Sequence, residues 1–100
     1  MTLTRGWLDL VRALDSKQRQ AISVRQAIEA VWPRDPSQST HKGVREAVQG
    51  LLRLQPFQTP SGRALGGLLR KNQDRVRDGL RIVSRGADRN GAALWGVDQT

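Results

Sequence analysis

The sequence predicts a mostly α-helical domain that ends in a β-hairpin. Apolar residues recur at helical spacing in four segments before residue 73. After Gly79, apolar and polar residues alternate with a period of two on both sides of Asn90-Gly91, a dipeptide typical of tight hairpin turns. We therefore expect three or four helices and a terminal hairpin that share one core, in a single domain over residues 1–100.

The first helix is predicted from about Thr4 to Asp15. Thr4 is an acceptable N-cap, because its side-chain oxygen can accept a hydrogen bond from the first turn of the helix. Trp7 and Leu10 begin an apolar stripe at helical spacing. The polar residues 16–20 then predict a connection to the next element.

Two further amphipathic helices follow. Ser23 is the predicted N-cap of the second helix, and Pro33 ends that helix because proline disfavours helical geometry in the residue before it. Ile22, just before the cap, is either a buried residue or a minimal strand. The third helix is predicted from about Ser39 to Leu54. The apolar stripes of these two helices are Val24, Ala27, Ile28, Val31 and Trp32, then Val44, Ala47, Val48, Leu51 and Leu52.

The fourth helix is predicted over about residues 60–72. Thr59 is the expected N-cap and Pro60 the first helical residue, where the missing N–H costs nothing. Gly66 and Gly67 are each unfavourable in a helix interior by about 1 kcal/mol relative to alanine, which indicates either that another backbone packs closely here or that the helix is short and irregular. The apolar stripe is Ala64, Leu65, Leu68 and Leu69, and the opposite face carries Arg63, Gly67, Arg70 and Asp74.

The hairpin is predicted over about residues 80–97. Leu80 and Ile82 lie two residues apart in its first strand, and the loop Arg85–Gly91 carries two arginines and one aspartate. Its tip should therefore be positively charged. In the second strand, Ala93, Trp95 and Val97 alternate with Leu94 and Gly96. We expect Trp95 to lie between the strands and the helices.

The composition favours a polyanionic partner. The chain has 17 Lys and Arg against 9 Asp and Glu, a net charge of +8, and this excess indicates nucleic acid before membrane. Arginine greatly outnumbers lysine, which suits bidentate contacts with phosphate and guanine, although a GC-rich genome would produce the same bias. Trp7, Trp32 and Trp95 are assigned to the core rather than to ligand stacking. The absence of cysteine excludes disulfides and thiolate metal sites.

The positive charge is concentrated in residues 61–90. This segment has eight basic and three acidic residues, net +5 over 30 positions, whereas residues 1–60 have nine basic and five acidic residues, net +4. The alternative to a binding surface is a solvated basic surface without function. The predicted nucleic-acid contacts are Arg63, Arg70, Lys71, Arg75, Arg77, Arg81, Arg85 and Arg89.

The order of the elements is that of a winged helix-turn-helix domain, in which the helix before the wing usually enters the major groove. Residues 60–72 are then the candidate recognition helix, about 80–97 the wing, and the supporting helices span about 4–54. The extra helix leaves one alternative open. The third helix, with Lys42 and Arg45, is the competing recognition element.

The run RALGGLLRKNQDRVRDGLRI followed by ALWGV also resembles the small C-terminal region of phage and prophage replication proteins of the primase–helicase type. That region has the motif R-x-L-G-x-x-L, a basic segment, a glycine and an aliphatic-Trp strand. The resemblance spans about residues 59–97 and implies a DNA-binding module attached to a replication enzyme. The matching residues are Arg63, Leu65, Gly66, Leu69, Gly79 and Trp95.

Catalysis is not expected from this chain. His41 has no second histidine or cysteine with which to share a metal, and its predicted state is solvated or capping. Ser23 and Ser61 resemble caps, because no histidine–carboxylate pair can activate them. Asp74 and Asp78 are four residues apart and could share a helix face, although surface ion pairs with arginine are the simpler interpretation. No cofactor, metal or small-molecule substrate is predicted.

Binding of double-stranded DNA is therefore the leading hypothesis. The wing and its flanking arginines would hold phosphates, and Arg63 and Arg70 would approach the bases. The alternative is a protein-interaction domain that docks an acidic partner, which other replication proteins could supply. RNA binding is a weaker hypothesis, because the aromatic side chains on which single-stranded bases stack are scarce in this sequence. No apolar run of membrane-spanning length and no signal core is present, so the expected location is the cytoplasm without a membrane partner.

Overall fold

The computed structural model describes residues 2–15, 20–33, 41–55 and 58–99. Within these residues the fold is mixed α/β, with four helices and one antiparallel sheet of three strands in the order β1-β3-β2. The predicted helices and C-terminal hairpin are therefore confirmed, and a third strand joins the hairpin. The elements are α1 (Leu3–Leu14), β1 (Ala21–Ser23), α2 (Val24–Val31), α3 (Lys42–Leu52), α4 (Gly62–Asn72), β2 (Leu80–Ala87) and β3 (Ala93–Gln99).

The helices and the sheet bury their apolar faces in a shared core. Trp7 is fully buried and Trp95 is 4% exposed, so the predicted core role of both is confirmed. Trp32 is half-buried and packs against the edge of this core. The helix–sheet arrangement places Trp95 at the inner face of the hairpin, as its alternation predicts. The largest fully buried side chains include Trp7, Leu10, Ile22, Leu65, Leu69 and Ile82.

The sheet differs from a simple hairpin because β1 pairs with β3. Ile22 lies opposite Trp95, which confirms the minimal strand at this position. Leu94 and Gly96 of the central strand β3 are buried as well as Trp95, so the predicted half-buried alternation of β3 is wrong. The Arg85 side chain and the Gln20 main chain cover Gly96. Alternation is found at the start of β2, where Leu80 and Ile82 are buried and Arg81 and Val83 are only half-buried.

Two predicted N-caps lie close to the observed ones. α1 begins after Thr2, whose hydroxyl oxygen accepts from the Arg5 amide at 3.2 Å, and Thr4 is a buried residue of the first turn. α4 begins after Ser61 rather than Thr59, because the Ser61 hydroxyl accepts from the Ala64 amide at 3.1 Å. Ser23 is the N-cap of α2, as predicted, and completes a capping box with Gln26.

α3 is also shorter than predicted. His41 occupies the N-cap position, but its side chain makes no capping hydrogen bond. The predicted start at Ser39 lies outside the described residues. At the other end Arg53 adopts a left-handed conformation with φ of 54°, which ends the helix at Leu52. None of the helices in the described ranges is long and apolar enough to cross a membrane.

Close helix packing occurs at Gly6, where the sequence did not predict it. A Cβ at this position would lie 2.8 Å from the Cβ of Val44, so glycine is required where α1 and α3 meet. The backbone approach predicted at Gly66 and Gly67 is wrong within the described residues. A Cβ at Gly66 would meet only Val24 at 3.9 Å, and one at Gly67 would meet nothing within 4 Å. The helix that contains both glycines is nevertheless regular over 11 residues.

The basic segment after α4 is not helical. The main-chain N–H of Asp74 donates to the carbonyl of Ile82 at 2.9 Å, so the segment runs beside the start of β2. Asp78 and Gly79 then form a tight turn, with φ of 55° and 73°. The expectation that Asp74 and Asp78 could share a helix face is therefore wrong, because both residues have positive φ. The Asp-Gly dipeptide at this turn is itself a hairpin-turn pattern.

Candidate nucleic-acid interface

A groove lies between α4, the N-terminal end of α2 and the loop end of the β2–β3 hairpin. We call it the α4 groove. Its lining includes three arginines and, among the described residues that line it, no aspartate or glutamate. The described lining of the groove therefore has a net positive charge. Its lining residues are Ser23, Val24, Arg25, Gly62, Arg63, Gly66, Gly67, Arg70, Ala92, Ala93 and Trp95.

The groove is positively charged on its α4 side because of the way that helix packs. Leu65 and Leu69 are buried against the core, and α4 contacts both α2 and α3. Arg63 and Arg70 therefore lie on the exposed face. They are seven residues apart, which is two turns or about 10.5 Å along the helix axis. This spacing leaves the two guanidinium groups free to contact separate points of a ligand.

Arg25 is a groove residue that the sequence analysis did not select. It is the second residue of α2, and its side chain is 86% exposed. Its Nε lies 3.3 Å from Oε1 of Glu29, one turn later. An exposed ion pair of this kind contributes little stability, so Arg25 can exchange this partner for a phosphate. Its place in the groove depends on β1, because that strand brings the start of α2 beside α4.

Arg81 and Arg85 lie outside the α4 groove. Both pair with Asp98 of β3: Nη2 of Arg81 lies 3.7 Å from Oδ2, and Nη2 of Arg85 donates to Oδ1. Arg85 packs over Gly96, where a Cβ would lie 2.7 Å from its Nε. Since Trp95 faces the core, Gly96 faces the other side of the sheet. We call Arg81, Arg85 and Asp98 the outer-face cluster.

The other predicted contacts lie at two ends of the sheet. Arg89 is exposed at the hairpin tip, residues 88–92, where the Asp88 carboxylate accepts from the amides of Asn90 and Ala92, each at 2.9 Å. Arg75 and Arg77 are exposed in the turn before β2. The length of β2 separates the two ends by about 23 Å, at about 3.3 Å per residue.

Lys71 is exposed in the last turn of α4. It follows Arg70, which lines the groove, and precedes the turn that carries Arg75 and Arg77. The eight predicted residues are therefore not one surface. The structure brings Arg63 and Arg70 together with Arg25, and it leaves the remaining six at the hairpin tip, in the outer-face cluster or near the end of α4.

The competing recognition helix, α3, does not line the α4 groove. Lys42 is exposed at its first turn, and Arg45 is half-buried and has an interaction partner. The helix packs against α1, α2 and α4, with Val44 and Val48 buried. Among the described residues, no group of three or more His, Cys, Asp or Glu side chains is arranged to hold a metal ion.

No known protein-family model matches the chain, no curated protein sequence matches it, and no solved structure matches its fold. The resemblance of residues 59–97 to the replication proteins of phages therefore stays a prediction that rests on the sequence motif. The geometry and charge of the α4 groove are the features of this chain that point to a function.

Proposed function

We propose that this chain is a winged helix-turn-helix domain that binds duplex DNA, with α4 as the recognition helix and the β2–β3 hairpin as the wing. Three features support the fold assignment: α4 directly precedes the hairpin, β1 precedes α2, and the three strands are ordered β1-β3-β2. These are the features expected when a helix and a wing act on one side of a domain. α3 is an additional supporting helix.

The α4 groove is the observation on which the DNA-binding proposal depends. Arg25, Arg63 and Arg70 come from two helices and converge on one groove, whose described lining contains no carboxylate. Guanidinium groups bind phosphate through paired N–H donors, and such charge-assisted hydrogen bonds are stronger than those between neutral groups. Phosphate contacts supply most of the affinity, whereas a few base-edge contacts supply selectivity. The net charge of +8 adds long-range attraction.

A titration tests this proposal directly. Labelled duplex DNA, single-stranded DNA and duplex RNA of equal length are titrated at two salt concentrations with the wild-type chain and with the Arg63→Ala/Arg70→Ala double variant. We expect the duplex DNA to bind most tightly, and its affinity to fall as salt rises. The double variant should bind more weakly. Equal affinity of the double variant and the wild type for every probe would contradict the proposal.

The motif resemblance supports a further part of the proposal, that the domain serves a phage or mobile-element replication protein. The motif residues Leu65, Gly66 and Leu69 lie on α4, beside the groove or in the core beneath it. The motif would then encode the recognition helix. A pull-down that recovers a primase or helicase with this chain would support the assignment, and one that recovers neither would contradict it.

Protein docking is the second candidate, and one observation favours it. Leu51 and Val76 are 54% and 58% exposed, large apolar side chains that a protein partner could cover. Isolated exposed apolar residues are ordinary on soluble proteins, which is why we place docking second. Retention of an acidic protein partner by the Arg63→Ala/Arg70→Ala variant, together with weak duplex binding by the wild type, would reverse this order.

A further inference from the structure

The exposed face of α4 has no side chains between its two arginines. Gly67 follows Arg63 by four residues and precedes Arg70 by three, so the three positions share one face of the helix. A Cβ at Gly67 would have no neighbouring atom within 4 Å, and Gly67 itself is exposed. Packing within the described part of the chain therefore does not require glycine at this position.

Glycine at this position is nevertheless unfavourable for the helix. It has more conformational freedom to lose on folding than alanine, and it lies in the middle of an 11-residue helix. α3 contains a comparable glycine, Gly50, which is also exposed and has nothing within 4 Å. An exposed helical glycine alone thus does not mark a contact. Gly67 differs because Arg25, Arg63 and Arg70 line the same groove.

We infer that Gly67 is the point of closest approach between α4 and a DNA duplex, where the bound duplex contacts the helix main chain directly. The inference rests on the proposed function and names the part of the site that sets the docking distance. Charge complementarity identifies the occupant: the groove has three guanidinium groups and, in its described lining, no carboxylate. A Cβ or a longer side chain at this position would hold the duplex away from Arg63 and Arg70.

Direct contact at Gly67 would limit the bases that α4 can read. Between Arg63 and Arg70 no side chain can reach a base edge from this face, because the intervening positions on that face are Gly66 and Gly67. Selective contacts from α4 are therefore confined to two points about 10.5 Å apart, or about three base-pair steps of 3.4 Å. In a preferred DNA site, base identity should matter at two short segments, and any base should be accepted at the positions between them.

The test compares Gly67→Ala and Gly67→Leu with the matched control Gly50→Leu. All three replace an exposed helical glycine by a better helix former, so each should raise the melting temperature. Labelled duplex is titrated with each variant, with the wild type and with Arg63→Ala. We expect Gly67→Leu to weaken duplex binding by about tenfold, Gly67→Ala to weaken it less, and Gly50→Leu to bind like the wild type.

The possible failures are distinguishable. Wild-type affinity of Gly67→Leu, combined with weaker binding of Arg63→Ala, would overturn the close approach and leave the proposed function standing. Equal losses from Gly67→Leu and Gly50→Leu would also overturn it, because the effect would not belong to the groove. If the wild type fails to bind duplex, or an equally charged polyglutamate displaces duplex as well as unlabelled DNA does, the duplex is not the occupant and both proposals fail.

Discussion

The indole N–H of Trp7 donates a hydrogen bond to the main-chain carbonyl of Trp95, with 3.0 Å between nitrogen and oxygen. The two residues are 88 positions apart in the chain, and the bond is buried. It joins α1 to the central strand of the sheet. Because a buried carbonyl without a partner costs free energy, this bond links the packing of the first helix to the position of the last strand.

The first prediction uses the asymmetry of this bond. Trp7→Phe and Trp95→Phe remove similar ring volume from buried positions, but only Trp7→Phe removes the donor, since Trp95 contributes its backbone. We expect Trp7→Phe to lower the free energy of unfolding by about 1–3 kcal/mol more than Trp95→Phe does. Urea denaturation followed by circular dichroism measures both. Equal losses would show that the hydrogen bond contributes no stability beyond the packing of the two rings.

The helices were predictable because each has a continuous apolar stripe. Their starts were less predictable, because two hydroxyl residues lie close together before both α1 and α4. Thr2 caps α1 instead of Thr4, and Ser61 caps α4 instead of Thr59. Either member of each pair could accept a hydrogen bond from the first turn. At Ser23 no second hydroxyl residue lies within the neighbouring positions, and the predicted cap was right.

The sheet and part of the site depend on contacts that no local pattern contains. β1 has three residues, too few to show an alternation, and its pairing with β3 makes that strand the central one, with a partner along each edge. The register of β2 also shifts between Ser84 and Ala87. Arg85 still belongs to β2, where it lies over Gly96 and beside Asp98, so a residue predicted at the hairpin loop belongs to the outer-face cluster.

The second prediction concerns Gly96, which lies directly beneath the side chain of Arg85. A Cβ at this position would lie 2.7 Å from Arg85 Nε and would also meet the main-chain oxygen of Gln20. Gly96→Ala should therefore destabilise the fold by about 1–3 kcal/mol, as overpacking does. The direction is opposite to the usual one, since alanine in the middle of a strand is normally more stable than glycine. Gly50→Ala, at an open helical position, is the control and should raise stability. Chemical denaturation measures whether each variant is more or less stable than the wild type, and a neutral Gly96→Ala would indicate that both the Arg85 side chain and the Gln20 main chain move aside easily.

The third prediction separates two hairpin arginines that the sequence treats alike. Arg89 is exposed at the tip, whereas Arg85 is paired with Asp98 and its side chain is 29% exposed. Arg89→Ala should remove one phosphate contact and flatten the plot of log affinity against log salt by about one unit. Arg85→Ala should leave that slope close to the wild-type value and lower the melting temperature instead.

The control for this pair is Asp98→Asn, which releases Arg85 from its carboxylate partner. If Arg85 is withheld from DNA by Asp98, the variant should bind every duplex somewhat more tightly and gain salt dependence. Titrations of random-sequence duplex at several salt concentrations measure both quantities. Identical slopes for Arg85→Ala and Arg89→Ala would mean that the outer-face cluster opens when DNA binds.

The last prediction distinguishes selective recognition by α4 from simple electrostatic attraction. Arg63→Ala and Arg70→Ala should each weaken binding to a preferred site by about 1–3 kcal/mol and weaken binding to random duplex less, as expected for a lost base contact. Arg75→Ala is the matched control, since Arg75 is exposed, basic and outside the α4 groove. Arg75→Ala should weaken binding to both duplexes by about the same factor, or weaken binding to neither. Selection from a random duplex library supplies the preferred site, and titration of both duplexes supplies the comparison. Equal losses on preferred and random DNA from Arg63→Ala and Arg70→Ala would mean that α4 contributes charge alone, and α3, through Lys42 and Arg45, would become the stronger candidate for base recognition.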